Sequence, residues 1–516
     1  MFARTVAETD PDRLAFVMAR TGERMTFGEF EAAANRLAHL FRAQGLREGD
    51  HAAFLMSNSL TVLVAYGAAE RTGLQYTPVD FHLTAEEAAY IVNDSAARVV
   101  IVNSDVAAVA ATLPARCPKV ERWLIDTAAE LPPGYERYAD AVAGYPSGPV
   151  PDERLGIAMM YSSGTTGRPK GIMRPLPGID AAQPLPVYAM VGKVVYRMRE
   201  GQTLLQPGPL YHAGPQSSTS ITLRLGGTTV VMDRFDARRF LELIGEYGVT
   251  HSVVVPTMMS RLLALPSDIR AGARLTSLEA IVHGAAPCPM TVKREMIDWI
   301  GPIVYEYYGA TEANGGTTVD SHEWLAHPGT VGKPYMGEIV IRDDEGDELP
   351  VGTPGQVWFR GNTNFVYWAD EEKTASNRDP DGSTSTTGDI GYVDGEGYLY
   401  LTDRTAFTII SGGVNVYPQE IESVLHEHPE VADVAVLAAP NEDLGEEVKA
   451  VVSLRPGSVG APFDEKAAEQ RLIDYCRGRL SRIKVPRSVD FVAEVPRLAT
   501  GKLNKRLLHD RYWKKA

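Results

Sequence analysis

The order of apolar and polar residues predicts helices and buried strands that alternate along most of the chain. After Thr26, apolar side chains recur at helical spacing, as at Phe30, Leu37 and Leu40. Glu29 stands three residues after Thr26, which is a capping-box pattern, so a helix is predicted to begin there. Short apolar runs predict buried strands further along the chain: RVVIVN at 98–103, TTVVM at 228–232, HSVVV at 251–255 and AIVHG at 280–284. Helices between such strands favour an α/β layered fold with largely parallel strands.

The pattern changes after about residue 330, where strand patterns follow one another without helices. EIVIRDDEGDELPVGTPGQVWFRG predicts two strands around acidic, Gly- and Pro-rich turns, and GYVDGEGYLYLTDR continues the pattern. Beyond Arg404 a separate α+β alternation begins. We therefore predict a large N-terminal domain over 1–403, with α/β layers and a β-rich subdomain, and a small α+β C-terminal domain over 404–516.

Composition narrows the class of protein. The chain has 516 residues, more than a single hydrophobic core usually accommodates, so two or more domains are expected. The net charge of −15 argues against general nucleic-acid binding. The last 40 residues nevertheless carry twelve Lys/Arg and three acidic residues. This excess predicts either a solvated face or contact with a polyanionic small molecule. No signal-like or membrane-length apolar run is present, and the three cysteines lack metal-type spacing, so we expect a cytoplasmic protein with no transmembrane segment.

Candidate chemistry begins with YSSGTTGRPKGI at 161–172, where six consecutive small residues are followed shortly by Lys170. Such a run is costly to order by itself. Its backbone N–H groups can surround an anion, and Lys170 adds positive charge, which predicts a phosphate chain as the ligand. The spacing matches neither G-x-x-x-x-G-K-[ST] nor G-x-G-x-x-G. A flexible surface linker is the structural alternative.

This loop resembles the phosphate-loop motif of the adenylate-forming acyl-CoA synthetases, a superfamily that includes luciferases and peptide-synthetase adenylation domains. Further segments resemble the family's other motifs in the family's order: PLYHAGP at 209–215, HGAAP at 283–287, YYGATE at 307–312, TGDIGYVDGEGYLYLTDR at 387–404, ISGGVNVYPQEIE at 410–422 and PRLATGKLNK at 496–505. The resemblance implies that a carboxylate and ATP form acyl-AMP and pyrophosphate, and that coenzyme A then takes the acyl group. It also implies a mobile C-terminal domain.

The resemblance assigns nucleotide-binding roles to residues of these motifs. Adenine is expected beside small residues and two tyrosines, at Gly284, Ala285, Ala286, Tyr307 and Tyr308. Gly309 and Ala310 are also expected at the cofactor site, beside the acyl pocket. The β- and γ-phosphates are expected at the loop, at Ser162, Ser163, Gly164, Thr165, Thr166, Gly167 and Lys170. Thr311 is expected to contact the α-phosphate, and Glu312 to bind Mg²⁺, since a carboxylate beside phosphates needs a cation between them. Asp389 and Arg404 are expected to hold the ribose.

Three further assignments concern catalysis. Lys502 is expected to supply the cation for adenylation, because an anionic carboxylate attacks an anionic phosphate. Gly412 and Gly413 belong to the segment expected to act in thioester formation. His212 is expected to gate the acyl pocket, and a hydrogen-bonded core histidine is the alternative reading.

The chain departs from the family pattern at the hinge, where G-R-x-[KD]-D is usual. Arg404 is kept, but Ala406 and Phe407 replace the polar hinge residue and the following acid. Because only thioester formation requires the second domain pose, this change raises a minority hypothesis, in which adenylation proceeds while transfer to coenzyme A is weak.

The substrate and the partners are left open. Small residues at the motifs beside the acyl pocket, such as Ala213 and Gly214, favour a bulky or long apolar acid: fatty, alicyclic, steroid-like or terpenoid. An aryl acid is less favoured. The leading hypothesis is a complete acyl-CoA synthetase. The alternatives are an adenylating enzyme that passes acyl-AMP to a carrier protein or partner enzyme, a nucleotide-binding scaffold without turnover, and luciferase-type oxygenation. A homodimer is also considered.

Overall fold

The computed structural model of the chain describes residues 1–162, 169–183, 185–404, 407–411, 414–441, 444–457, 463–497 and 503–513. The chain separates into two compact units, each assembled from discontinuous segments. Unit 1 contains Met1–Val254, Ala264–Val282 and Asn364–Ser376, and unit 2 contains Val255–Leu263, His283–Thr363 and Asn377–Ala516. The domain boundary between residues 403 and 404 stays a prediction.

Unit 1 alternates helices and strands as the apolar pattern predicts. Its α-helices are Arg4–Thr9, Phe27–Ala43, Leu60–Arg71, Ala85–Asp94, Ala107–Ala110, Leu113–Arg116, Tyr138–Ala143, Pro186–Met190, Ala213–Arg224, Ala237–Tyr247, Ser267–Gly272 and Glu371–Ser376. Its strands are Leu14–Met18, Arg24–Thr26, His51–Leu55, Gln75–Val79, Val99–Asn103, Arg122–Asp126, Glu136–Arg137, Ile157–Ala158, Met160–Ser162, Lys170–Met173, Thr203–Gln206, Thr228–Val231, His251–Val254 and Val366–Tyr367. The strand Ala280–His283 passes from unit 1 into unit 2.

The predicted parallel strands of unit 1 are confirmed. The run at 98–103 is the strand Val99–Asn103 of an entirely parallel six-stranded sheet, whose order is Glu136–Arg137, Arg122–Asp126, Val99–Asn103, His51–Leu55, Gln75–Val79 and Ile157–Ala158. The runs at 228–232 and 251–255 are the strands Thr228–Val231 and His251–Val254, which both pair parallel with Thr203–Gln206. The predicted capping box is also present, since the Thr26 side chain accepts from the Glu29 N–H and the Glu29 carboxylate accepts from the Thr26 N–H. Apolar side chains of the helix Phe27–Ala43 and of the strands form one large core.

Unit 2 is richer in strands. Its helices are Pro256–Leu263, Met290–Ile300, Ser321–Ala326, Pro418–His426, Glu465–Arg477 and Lys505–Trp513. Its strands are Val304–Gly309, Gly316–Val319, Lys333–Met336, Glu338–Arg342, Gly355–Arg360, Thr384–Val393, Leu399–Arg404, Ile409–Ser411, Val414–Val416, Val431–Asn441, Gly445–Leu454 and Ser488–Phe491.

The predicted β-rich region and the later α+β region both lie in unit 2. Glu338–Arg342, Gly355–Arg360, Thr384–Val393 and Leu399–Arg404 form a four-stranded antiparallel sheet. Further along the chain, the long strands Val431–Asn441 and Gly445–Leu454 pair antiparallel and bury a separate apolar core with the helices that flank them. The mixed α/β class is therefore confirmed. No helix in the described part of the chain is both long and apolar enough to cross a membrane.

Candidate active site

The two ends of the predicted phosphate loop are fixed in unit 1 by a β-hairpin. Met160–Ser162 and Lys170–Met173 pair antiparallel, with Ser162 directly opposite Lys170. This cross-strand pair brings the two ends of the loop together and fixes the backbone of Lys170 at one of them. The loop residues themselves lie outside the described residues: Ser163, Gly164, Thr165, Thr166 and Gly167.

Lys170 is paired with a carboxylate that the sequence pattern did not indicate. Its Nζ lies 2.9 Å from Oδ2 of Asp370, and both side chains are partly exposed. The hydrogen bond from Lys170 holds the pKa of Asp370 below its usual value and raises the pKa of the lysine. Asp370 stands far along the chain in an unremarkable polar segment, WADEEK, so no local signal connects it with the loop.

His212 lies in unit 1 immediately before the helix Ala213–Arg224, and its carbonyl accepts from the N–H of Gln216 at 3.0 Å. Its ring centroid is 4.2 Å from that of Tyr211. The half-buried position suits either the gating role or the core-histidine alternative, so the assignment stays a prediction.

The two predicted adenine segments meet in unit 2. Gly284 follows the strand Ala280–His283, and a Cβ added there would lie 2.7 Å from the carbonyl oxygen of Tyr307 and 2.8 Å from its ring. Only glycine permits this approach, so Gly284 lets the Tyr307 ring lie against the backbone. Ala285, the next residue, has a left-handed φ of 67°, which is strained for a residue with a Cβ. Ala286 follows, half-buried.

The predicted adenine and ribose residues are connected by a hydrogen bond in unit 2. The Tyr308 hydroxyl donates to Oδ2 of Asp389 at 2.6 Å, and the Thr387 hydroxyl donates to the same oxygen at 3.1 Å. Asp389 is buried, and across its strand it pairs with Arg404, whose backbone is described and whose side chain lies outside the described residues. A buried carboxylate with two donors is well suited to a fixed orientation.

The turn after the strand Val304–Gly309 carries Ala310, Thr311 and Glu312. Glu312 is only 8% exposed, and Ala313 after it has a left-handed φ of 53°. Among the described residues, no group of three or more His, Cys, Asp or Glu side chains could hold a metal ion. Mg²⁺ takes few protein carboxylates and obtains further oxygens from phosphates and water, so a single buried carboxylate fits it.

A buried charged cluster, which the sequence reading missed, lies beside the predicted adenine segments. Lys293 Nζ is 2.6 Å from Oε2 of Glu306 and 4.9 Å from the Trp324 ring centroid. His283 Nε2 is 3.8 Å from the same Glu306 oxygen. Burial, together with the positive charge of Lys293, keeps the pKa of His283 well below its usual value, so the imidazole is neutral.

The position of this cluster gives it structural importance, because His283 directly precedes Gly284 and Glu306 directly precedes Tyr307. The only sequence signal was the presence of polar residues inside two apolar strand patterns, AIVHG and VYEYYG.

The remaining predicted residues, Gly412, Gly413 and Lys502, lie outside the described residues, as does the hinge residue Ala406. The strands Ile409–Ser411 and Val414–Val416 flank the two glycines and pair antiparallel. Three residues after Lys502 in the sequence, Lys505 forms an ion pair with Glu422, with its Nζ 2.8 Å from a carboxylate oxygen.

Comparison with known proteins decides the family. Residues 3–367 match the AMP-binding enzymes, and residues 420–502 match the C-terminal domain of AMP-binding enzymes. The chain belongs to the AMP-binding enzyme family. This AMP-binding enzyme is 33% identical over 517 residues to the long-chain-fatty-acid–CoA ligase FadD13 of Mycobacterium tuberculosis, with 99% of this chain and 97% of that protein covered.

Two other relatives extend the comparison. The fatty acid–[acyl-carrier-protein] ligase ScoC of Streptomyces coeruleorubidus is 32% identical over 500 residues, covering 95% of this chain and 92% of that protein. The crystal structure of ATP-bound MatB from Rhodopseudomonas palustris has a TM-score of 0.83 and 30% identity, with 99% of each chain covered.

The predicted family is therefore confirmed, with its large N-terminal and small C-terminal domains. The protein is an AMP-forming acid–thiol ligase that uses ATP and coenzyme A, and Mg²⁺ is typical of its family.

Proposed function

We propose that this AMP-binding enzyme activates a bulky or long apolar carboxylic acid, of fatty, alicyclic or terpenoid type, and converts it to acyl-CoA. The observation that carries the proposal is the similarity to a fatty-acid–CoA ligase along 99% of the chain. The small residues Ala213 and Gly214, which begin the helix after His212, support a roomy acyl pocket.

The proposed reaction has two steps. A carboxylate oxygen of the acid attacks the α-phosphorus of ATP, and the bond from that phosphorus to the bridging oxygen breaks as pyrophosphate leaves with the electron pair. The sulfur of coenzyme A then attacks the acyl carbon, and AMP leaves while the thiol proton is released. Mg²⁺, when bound, would neutralise part of the charge on the phosphates.

We assign the residues as follows. Gly284, Tyr307 and Tyr308 would hold adenine, and Asp389 with Arg404 would hold the ribose. Ser162, the loop and Lys170 would bind the β- and γ-phosphates. Thr311 would contact the α-phosphate, Glu312 would bind Mg²⁺, and His212 would border the acyl group. Lys502 would act in adenylation, and Gly412 and Gly413 in thioester formation. Support comes from the Gly284–Tyr307 approach and the Tyr308–Asp389 hydrogen bond.

A second candidate is an enzyme that delivers its acyl group to a carrier protein or a partner enzyme. It is supported by the similarity to an acyl-carrier-protein ligase and by Ala406 at the hinge. Three free thiols, Cys117, Cys288 and Cys476, support the proposal of a reducing, cytoplasmic compartment.

The deciding experiment is acid-dependent pyrophosphate release from ATP over a panel of carboxylic acids, with and without coenzyme A. Mass spectrometry would read acyl-AMP and acyl-CoA. We expect acyl-CoA from a large apolar acid. Accumulation of acyl-AMP despite coenzyme A would favour the second candidate, and absence of pyrophosphate release with every acid would contradict both.

Lys502→Ala tests the catalytic assignment. We expect adenylation to fall by roughly two to three orders of magnitude, the usual loss when a charge-stabilising group is removed. Thioester formation from supplied acyl-AMP should persist. Lys466→Ala is the matched control, since Lys466 is exposed on the helix Glu465–Arg477. Equal loss of both half-reactions would contradict the assignment.

A further inference from the structure

Asp370 is the carboxylate that faces the lysine of the predicted phosphate loop. It belongs to a segment of unit 1 that packs directly on the strand carrying Lys170. Val366–Tyr367 pairs antiparallel with that strand at Ile172 and Met173. Next along the segment, the backbone N–H of Trp368 donates to the carbonyl of Gly171 at 2.7 Å. The segment is therefore held by backbone contacts to residues 171–173, which directly follow Lys170 on its strand.

Side-chain packing fixes the same segment. The Trp368 indole N–H donates to the carbonyl of Asp94 at 2.7 Å. A Cβ on Gly171 would lie 3.2 Å from the Cβ of Trp368, so the two backbones are in close contact. Ala369 adopts a left-handed φ of 52° immediately before Asp370. These contacts place the Asp370 backbone opposite Lys170 independently of the ion pair.

The two oxygens of Asp370 have different partners. Oδ1 accepts from the backbone N–H of Lys373 at 3.0 Å and caps the first turn of the helix Glu371–Ser376. Oδ2 lies 2.9 Å from Lys170 Nζ. Asparagine also serves as a helix cap, so Asp370→Asn removes the charge and keeps the cap.

An exposed pair of this kind exchanges readily. Ion pairs between partly solvated side chains contribute little to stability, whereas a triphosphate offers the lysine several charged oxygens. ATP can therefore take Lys170 from Asp370.

We propose that Asp370 competes with the β- and γ-phosphates for Lys170 and so weakens the retention of pyrophosphate once adenylation has released it. This role rests on the proposed function, because it requires Lys170 to bind the leaving pyrophosphate. Asp370 acts through Lys170 and is a positioning residue. Before ATP binds, Asp370 forms the ion pair with the Lys170 ammonium group. After adenylation, Asp370 again competes with pyrophosphate for that group.

The test is calorimetric binding of three probes in the presence of Mg²⁺: inorganic pyrophosphate, ATP and AMP. We expect Asp370→Asn to bind pyrophosphate and ATP roughly three- to tenfold more tightly than the wild type, because the carboxylate that competes for Lys170 is gone. AMP, which lacks the β- and γ-phosphates, should bind unchanged. Glu371→Gln is the matched control, since it removes the same charge from the next, exposed residue and should have no such effect.

A second variant distinguishes competition for Lys170 from general electrostatics. In a Lys170→Met background, Asp370→Asn should give no more than a twofold change, because the residue through which it acts is absent. Pyrophosphate affinity in Asp370→Asn that is no higher than in Glu371→Gln would overturn the inference. A gain that persists without Lys170 would also overturn it. If the wild type bound neither ATP nor AMP, the proposed function itself would fall.

Discussion

Two lysine–carboxylate ion pairs of this enzyme have similar N–O distances but different exposure to solvent. In unit 1, Lys170 and Asp370 are 2.9 Å apart, with side chains 33% and 21% exposed. In unit 2, Lys293 and Glu306 are 2.6 Å apart, with side chains 1% and 8% exposed. The two pairs therefore differ in how accessible their charged groups are to water. Water reaches the first pair, whose lysine we propose to bind phosphate, whereas the second pair is almost completely buried.

The energetics follow from burial. A partly exposed pair gains little because water solvates both charges almost as well, about 0.2–1 kcal/mol. A buried pair has lost that hydration, so removing one partner strands an uncompensated charge and costs about 3–5 kcal/mol. Breaking the Lys170–Asp370 pair of unit 1 should therefore cost little, and breaking the Lys293–Glu306 pair of unit 2 should cost much more. The following predictions test this contrast from the largest effect to the smallest.

Lys293→Met should lower the free energy of unfolding by about 3–5 kcal/mol, because Glu306 would remain buried without its partner. Denaturant melts of the full chain would measure it. The double variant Lys293→Met/Glu306→Gln should recover part of the loss, and Asp370→Asn in the same assay should cost less than about 1 kcal/mol. If Lys293→Met cost no more than Asp370→Asn, burial would not distinguish the two pairs.

Gly284→Ala should weaken AMP binding by about 1–3 kcal/mol, or roughly 5- to 150-fold, because the new methyl group collides with Tyr307. Calorimetry with AMP and with pyrophosphate would locate the effect, and pyrophosphate affinity should stay at the wild-type value. Gly395→Ala is the matched control in unit 2, since a Cβ there meets no atom within 4 Å. Unchanged AMP affinity in Gly284→Ala would separate this glycine from adenine binding.

Tyr308→Phe should weaken AMP binding by about 1 kcal/mol, roughly fivefold, because Asp389 loses one of its two hydroxyl donors. The effect is the smallest of the three because Tyr308 is only half-buried and Thr387 still donates to the same oxygen. AMP titration of the variant beside Thr387→Val would compare the two donors. A larger loss in Thr387→Val would show that the tyrosine is the lesser support.

Local order in the fold was predictable where short-range patterns were strong. The capping box at Thr26 and the apolar run at 98–103 both appear as predicted, the second as the strand Val99–Asn103. The motif residues could likewise be named, because the segments that carry them resemble the motifs of the adenylate-forming family. The pairings among them were not predictable, since Tyr308 and Asp389 come from different strands of unit 2.

The sequence by itself determined the α/β class, the family and the types of residue available for binding a nucleotide, because these depend on periodicity and on short motifs. Only the tertiary structure decided which charges meet and which are hidden from water. Lys170 pairs with Asp370, which lies two hundred positions later in the chain, and Lys293 pairs with Glu306, which directly precedes Tyr307. The strength of a charge depends on its neighbours and its hydration, and both are set by packing between segments that are distant in sequence.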